Sequence, residues 1–210
     1  MSFRDLTLLG LTSLIILLTG SSAISSSRTA NLSLNKKCEF PPLSSLQLKD
    51  GDVILRRGNS IFSELIARNF PASEGMSHCG FIFKIDGQYQ VIHTISKSLS
   101  DIDGIRINTL EKFVREAKQN RICIIRYHKK LNSDSMKERC LALLKQKIPF
   151  DNDFDLNDSS KLYCSELLRY VYQEQGEPDF FEMRKIVGVS VIDFSTFFNT
   201  ELFIPVYKNY

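Results

Sequence analysis

The chain has 210 residues, 43% hydrophobic and 24% charged, with 15 Phe and no Trp. This is the composition of a globular domain with an aromatic-rich core, and it excludes disordered, collagen-like and multi-span membrane chains. The 27 Lys and Arg against 24 Asp and Glu leave a net charge of +3 with no basic stripe, so there is no footing for a nucleic-acid partner.

Residues 1–23 combine Arg4, an apolar block from Leu6 to Leu18, and small residues at Ser21 and Ala23. This is the pattern of a secretory signal peptide cut after Ala23. The apolar block falls short of the roughly 20 residues a spanning helix needs. The expected location is therefore exported, periplasmic or extracellular; an uncleaved N-terminal membrane anchor is the alternative, and cell-envelope association stays open. Residues 24–37 are Ser- and Asn-rich and read as a linker, leaving a domain over 38–210. Export permits disulfides. The five Cys are an odd number, and no pairing emerges among Cys38, Cys79, Cys123 and Cys140.

Within the domain, Gly51 to Arg56 reads as a turn and a short strand. Asn59 and Ser60 are caps for a helix with Ile61, Phe62, Leu65 and Ile66 on its apolar face. Pro71 to Gly75 is a loop. His78 to Ile85 and Tyr89 to Ile95 read as strands around Asp86-Gly87, a strong hairpin signal. Ile105 to Ile107 adds a strand. Asn108-Thr-Leu-Glu111 has the form of a capping box opening a helix on Leu110, Phe113, Val114 and Ala117. Arg121 to Tyr127 is a strand, and Asp134 to Gln146 a helix stopped by Ile148-Pro149. A polar loop from Asp151 to Lys161 leads to a helix from Cys164 to about Gln175, ended by Gly176. Ser190 and Asp193 suggest a last short helix, and Phe203 to Tyr207 a last strand. The fold class is α+β, an antiparallel sheet packed with helices.

The hairpin register carries the chemistry. A two-residue turn at Asp86-Gly87 sets Gly80 opposite His93 and His78 opposite Ile95. His78 and His93 then project from one face as diagonal neighbours, roughly 5–8 Å apart, with no side chain at Gly80 to obstruct them. Cys79 points to the other face. Only three His occur in the chain, and two lie here.

Cys164 opens its helix, where the dipole and unpaired backbone N–H groups favour thiolate, the reactive form of cysteine. An adjacent imidazole held by another polar group would activate it further, and nearby N–H groups could stabilise an oxyanion.

These residues resemble the circularly permuted, papain-like cysteine amidases of the YaeF/YiiX group in the NlpC superfamily, over about Leu48 to Phe198. The anchors are Gly51-Asp52-Val-Ile, Ser77-His78-Cys-Gly80, Pro149-Phe150-Asp151 and Tyr163-Cys164-Ser165-Glu166. The order is permuted, with histidine before cysteine. The resemblance implies Cys164 as nucleophile, His78 as base and acid, and a polar orienting residue on the next strand, at His93. That position is often Glu in this group, a departure that leaves an imidazole in the role. It also implies supporting roles in the pocket for Asp52 and Tyr163.

No cofactor is expected. Asp151 to Asp158 begins like a calcium loop, but Leu156 and Leu162 stand where that loop needs Gly and Glu; a solvated loop is the better account. His78 and His93 have no third zinc ligand at recognisable spacing. Three functions stay open: hydrolysis of a cell-wall peptide or amino-acid amide, hydrolysis or transfer of a lipid acyl group at the same site, and a non-catalytic binding domain.

Overall fold

The computed structural model describes residues 40–97, 103–186 and 188–210. The expected signal and linker, with Cys38, lie outside them. Among the described residues, no helix is long and apolar enough to cross a membrane.

In chain order the elements are β1 (Asp52–Arg56), α1 (Ile61–Asn69), β2 (His78–Ile85), β3 (Gln88–Ile95), β4 (Gly104–Thr109), α2 (Leu110–Arg115), β5 (Ile122–Tyr127), α3 (Ser133–Lys145), α4 (Cys164–Glu174), β6 (Met183–Ile186), β7 (Val189–Ile192) and β8 (Phe203–Lys208). Six strands make one antiparallel sheet in the order β4-β3-β2-β1-β5-β8, and β6 and β7 pair separately. Helices and this antiparallel sheet make the α+β architecture expected.

Both faces of the sheet are covered. Val53, Leu55, Cys79, Phe81 and Ile125 face a core built with Leu143 of α3, Leu167, Leu168, Val171 and Tyr172 of α4, and Phe194 and Phe203. Ile54, Ile82, Val91 and Ile124 face a smaller core closed by Leu48 and by Leu110 and Phe113 of α2. Eleven residues are too few for α4 to be stable alone in water, so its buried stripe on the sheet holds it in place.

The β2–β3 turn has the expected register, with Ile85 paired to Gln88 and Phe81 to Ile92. Asp86 and Gly87 both have positive φ, 50° and 78°. A primed turn requires this at both central positions, and it matches the twist of the strands. Ser60 caps α1 through the Ser63 N–H, 2.9 Å.

Four expectations need correction. The α2 cap is Thr109, whose hydroxyl accepts from the Lys112 N–H, and Asn108 still belongs to β4. Strand pairing as far as Gln90–Thr109 outcompetes the earlier helix start. Ile61 is 92% exposed, because it opens the first turn of α1 away from the core; the Phe62 side chain lies outside the described ones. Ser190 is in β7, whose ladder with β6 takes it into a hairpin, and Asp193 caps only a 3-10 turn over Phe194–Phe198. Asp151 is fully buried rather than solvated. Its carboxylate accepts from the backbone N–H groups of Asp153 and Asp155, at 2.9 and 2.7 Å, and so organises the loop before α4.

Candidate active site

His78 is the first residue of β2, and His93 lies near the end of β3. Their side chains meet as the hairpin register requires: His78 Nε2 lies 3.0 Å from His93 Nδ1, with the rings perpendicular. A Cβ at Gly80 would come within 2.9 Å of the His93 Cβ and 2.7 Å of Val91 Cγ1, so glycine is what allows this approach. Phe113 of α2 backs the pair, stacked on His78 at 5.5 Å and edge-on to His93 at 5.1 Å.

The chain of polar contacts continues beyond His93. Arg106 Nη2 donates to Asn108 Oδ1 at 3.0 Å, and Asn108 Nδ2 lies 3.1 Å from His93 Nε2. In that polarity Asn108 donates to His93, whose own proton sits on Nδ1 and is donated to His78 Nε2. The opposite polarity requires the Asn108 amide to turn its Oδ1 to the His93 Nε2–H and give up the Arg106 bond, since a guanidinium only donates. The His78 proton then sits on Nε2, and His78 Nδ1 has a free lone pair with which to take a proton. Asn108 thus fixes which imidazole tautomer is favoured. The sequence alone hides this residue, because Asn108 reads there as a helix cap. Extending β4 by one residue reveals it: Asn108 pairs with Val91, on the same face as His93.

A second residue hidden in the sequence is Arg56. It is paired with His78 across β1 and β2 and only 5% exposed. Its Nη1 donates to the Phe113 carbonyl at 2.8 Å and to Glu116 Oε2 at 2.9 Å, and its guanidinium lies 4.2 Å from the Phe113 ring centre. Burial pushes the His78 and His93 imidazoles well below their usual range, and the Arg56 guanidinium pushes them in the same direction. Both rings are therefore neutral near pH 7.

Cys164 is the first residue of α4 and 7% exposed. It comes from the face of the sheet opposite the imidazoles, beside Cys79. Because His78 starts its strand, the two sides meet around the strand end, in one cavity lined by His78, Cys164, Ser165 and Tyr163. The Cys164 thiol is held below the usual thiol range chiefly by its interaction with the Cys79 side chain, against the effect of burial; the backbone N–H groups of Cys79, Ser165 and Cys164 add to this. The Cys79 thiol is pushed the other way, by burial first and then by Cys164. Among the described residues, no hydrogen bond joins Cys164 Sγ to His78. The thiol instead meets the backbone of residue 79, one peptide bond from His78. Cys79, Cys123, Cys140 and Cys164 are all free.

Tyr163 lines the cavity, and its hydroxyl accepts from the Ile192 N–H at 3.1 Å, tying β7 to the start of α4. Its own N–H donates to Glu166 Oε2 at 3.3 Å, and burial raises the Glu166 carboxyl to about 8. Asp52 does not line this cavity. It pairs with Ile82, four residues along the ladder from Arg56 and His78, which is about 13 Å of strand. There it accepts both ends of the Arg126 fork, at 2.7 and 2.8 Å, in a structural ion pair.

The family model described as permuted papain-like amidase enzyme, YaeF/YiiX, C92 family, matches residues 47–193. The chain belongs to this family. A C92 protein is a papain-like cysteine amidase, and the permuted order is met here by His78 on β2 preceding Cys164 on α4. No curated protein matches the sequence. Among solved structures the fold is similar to the crystal structure of metalloprotein YiiX from Escherichia coli O157:H7, with a TM-score of 0.63 and 17% identity over 78% of this chain and 99% of that one. Among the described residues of this C92 chain, no three His, Cys, Asp or Glu are grouped to hold a metal ion. The two imidazoles are already bonded to each other. These side chains do not make a three-ligand metal centre.

Proposed function

We propose that the protein hydrolyses an amide through Cys164, with His78 as base and acid and His93 as the orienting residue. The observation that carries this is that His78 lines the same cavity as Cys164 and is held from behind by the buried His93 at 3.0 Å. With the Asn108 amide turned so that His78 carries its own proton on Nε2, Cys164 passes its proton to His78 Nδ1 and its sulfur bonds to the amide carbon. The oxyanion faces backbone N–H groups at the start of α4, which are preorganised donors. His78 returns the proton to nitrogen as the C–N bond breaks, the amine leaves, and water then releases the acyl group from sulfur. The same reading has the protein act outside the cytoplasm after removal of residues 1–23, in the periplasm or at the cell envelope.

Steady-state hydrolysis of a panel of amides, including muropeptides and acylated amines, tests it. Cys164→Ala abolishes turnover, and His78→Ala lowers kcat/KM by about 10²–10⁴-fold, the worth of general acid–base catalysis. Turnover unchanged in Cys164→Ala contradicts the assignment.

A further inference from the structure

A second cavity, of about 410 Å³, opens at the other end of β1, beside the Asp52–Arg126 pair. It shares no lining residue with the cavity of Cys164, and its volume suits a small organic molecule. Tyr172 of α4 lines it and is only 1% exposed, yet its hydroxyl has no hydrogen-bond partner among the described residues. Phe81, Phe180 and Phe203 pack on the Tyr172 ring, so its apolar part is satisfied and its hydroxyl is not. A buried hydroxyl left unpaired is costly, and native folds supply a partner for it from protein, water or ligand. Burial also keeps this hydroxyl protonated, so it has a hydrogen to donate. The charges of the lining point the same way. Asp52 accepts from the Arg126 fork and, at 2.8 Å, from the Lys49 N–H. Asp50 accepts from the Lys84 N–H at 2.7 Å and from Lys137 Nζ at 3.0 Å. Both acids are therefore committed, whereas the bases are in surplus. Arg126 uses Nε and Nη2 on Asp52 and the Gln47 carbonyl, and its Nη1 makes no hydrogen bond among the described residues. Lys129 is taken by Glu177, but Lys49 and Lys130 have no ion-pair partner there. Ser133, the first residue of α3, adds the positive end of a helix dipole.

We propose that this cavity binds a small organic anion by an oxyanion head group, a phosphate or a carboxylate, with Tyr172 as the buried anchor. The Tyr172 hydroxyl and Arg126 Nη1 are the donors for its oxygens. Asp52 already holds the guanidinium in place, so little freedom is lost when it binds. Lys49 and Lys130, both exposed, supply charge at the rim. Leu131 and Met136 offer apolar contact to the body of the molecule. A neutral ligand would leave the surplus positive groups without a partner, and a cation would be repelled by them. The site stands apart from the amidase reading, because the two cavities have no residue in common.

The test is calorimetric titration of the full chain with glycerol 3-phosphate, inorganic phosphate and succinate, at constant ionic strength. It is repeated on Cys164→Ala, on Tyr172→Phe and on the double variant Lys49→Gln with Lys130→Gln. The expected result is saturable binding at one site, the same in Cys164→Ala as in the wild type. Tighter binding of the two phosphates assigns a phosphate head group, and tighter binding of succinate a carboxylate. Tyr172→Phe weakens binding by about tenfold, the worth of a hydrogen bond to a charged group. The double lysine variant also binds more weakly, and its affinity depends less on salt. Without ligand, Tyr172→Phe unfolds at a denaturant midpoint equal to or above that of the wild type, because the hydroxyl it loses had no partner. Loss of stability in Tyr172→Phe would give the hydroxyl to the fold and overturn the proposal. Titrations that show no saturable binding, or binding that neither variant weakens, overturn it as well. Both lysines are exposed, so their variant reads out binding whatever becomes of Tyr172→Phe.

Discussion

At the residue scale the site is a line of four side chains, Arg106, Asn108, His93 and His78; Arg106 always donates, and the hydrogen bonds from Asn108 to His78 reverse only if the Asn108 amide turns and gives up the Arg106 bond. The direction decides whether His78 Nδ1 can accept a proton. Replacing Asn108 by Asp sets a carboxylate against His93 Nε2, which favours the polarity with His93 protonated there and His78 Nδ1 free. It also stabilises the charged imidazolium. In the wild type, burial and Arg56 hold the His78 imidazole well below 6.5, so kcat/KM stays level as pH falls to that value and drops only below it. In Asn108→Asp the acid limb moves to higher pH. Asn108→Ala lowers kcat about three- to tenfold with little change in KM, the worth of one hydrogen bond. A pH profile of kcat/KM for the three proteins checks this, and an acid limb that does not move in Asn108→Asp would show that Asn108 does not set the state of His78.

At the scale of elements, two fit together to make the site: the β2–β3 hairpin and the first turn of α4. The hairpin is legible from Asp86-Gly87, because a two-residue primed turn fixes the register and the register fixes the faces. Helix α4 is equally legible, from a polar loop followed by Leu167, Leu168 and Val171. What the chain order does not show is how β4 and β1 add to the site. Asn108 and Arg56 come to the histidines through strand neighbours that are sequence-remote, and Asn108 also imitates a helix cap. The same blindness puts Asp52 in the pocket: it shares β1 with Arg56, but antiparallel pairing leaves it at the far end of that strand. The β6–β7 hairpin is hidden because its strands are four residues long and carry no turn signal as strong as Asp-Gly. The hairpin logic has a direct test in Gly80→Ala. The added Cβ meets Val91, the Ile92 carbonyl and His93 at 2.7 to 2.9 Å, which forces β2 and β3 apart. Stability falls by about 1–3 kcal/mol, as in other overpacked cores, and kcat/KM falls with it. Denaturant midpoints and kinetics that match the wild type would contradict this.

At the scale of the whole molecule, the sheet is the frame that brings a thiol from one face and two imidazoles from the other to the end of one strand. The other described cysteines sharpen the contrast. Burial raises Cys140 to about 12 and Cys123 to about 11, and it raises Cys79 as well, while of these four Cys164 alone is held below its usual range. The proposed activity therefore depends on one sulfur being different from its neighbours in the same fold. Alkylation of the folded protein with iodoacetamide near pH 7, with each modified cysteine located by peptide mapping, measures that difference directly. Cys164 is expected to react well ahead of Cys79, Cys123 and Cys140, and more slowly once His78 is replaced by Ala. Labelling of Cys164 no faster than that of Cys123 or Cys140 would contradict its role as the nucleophile.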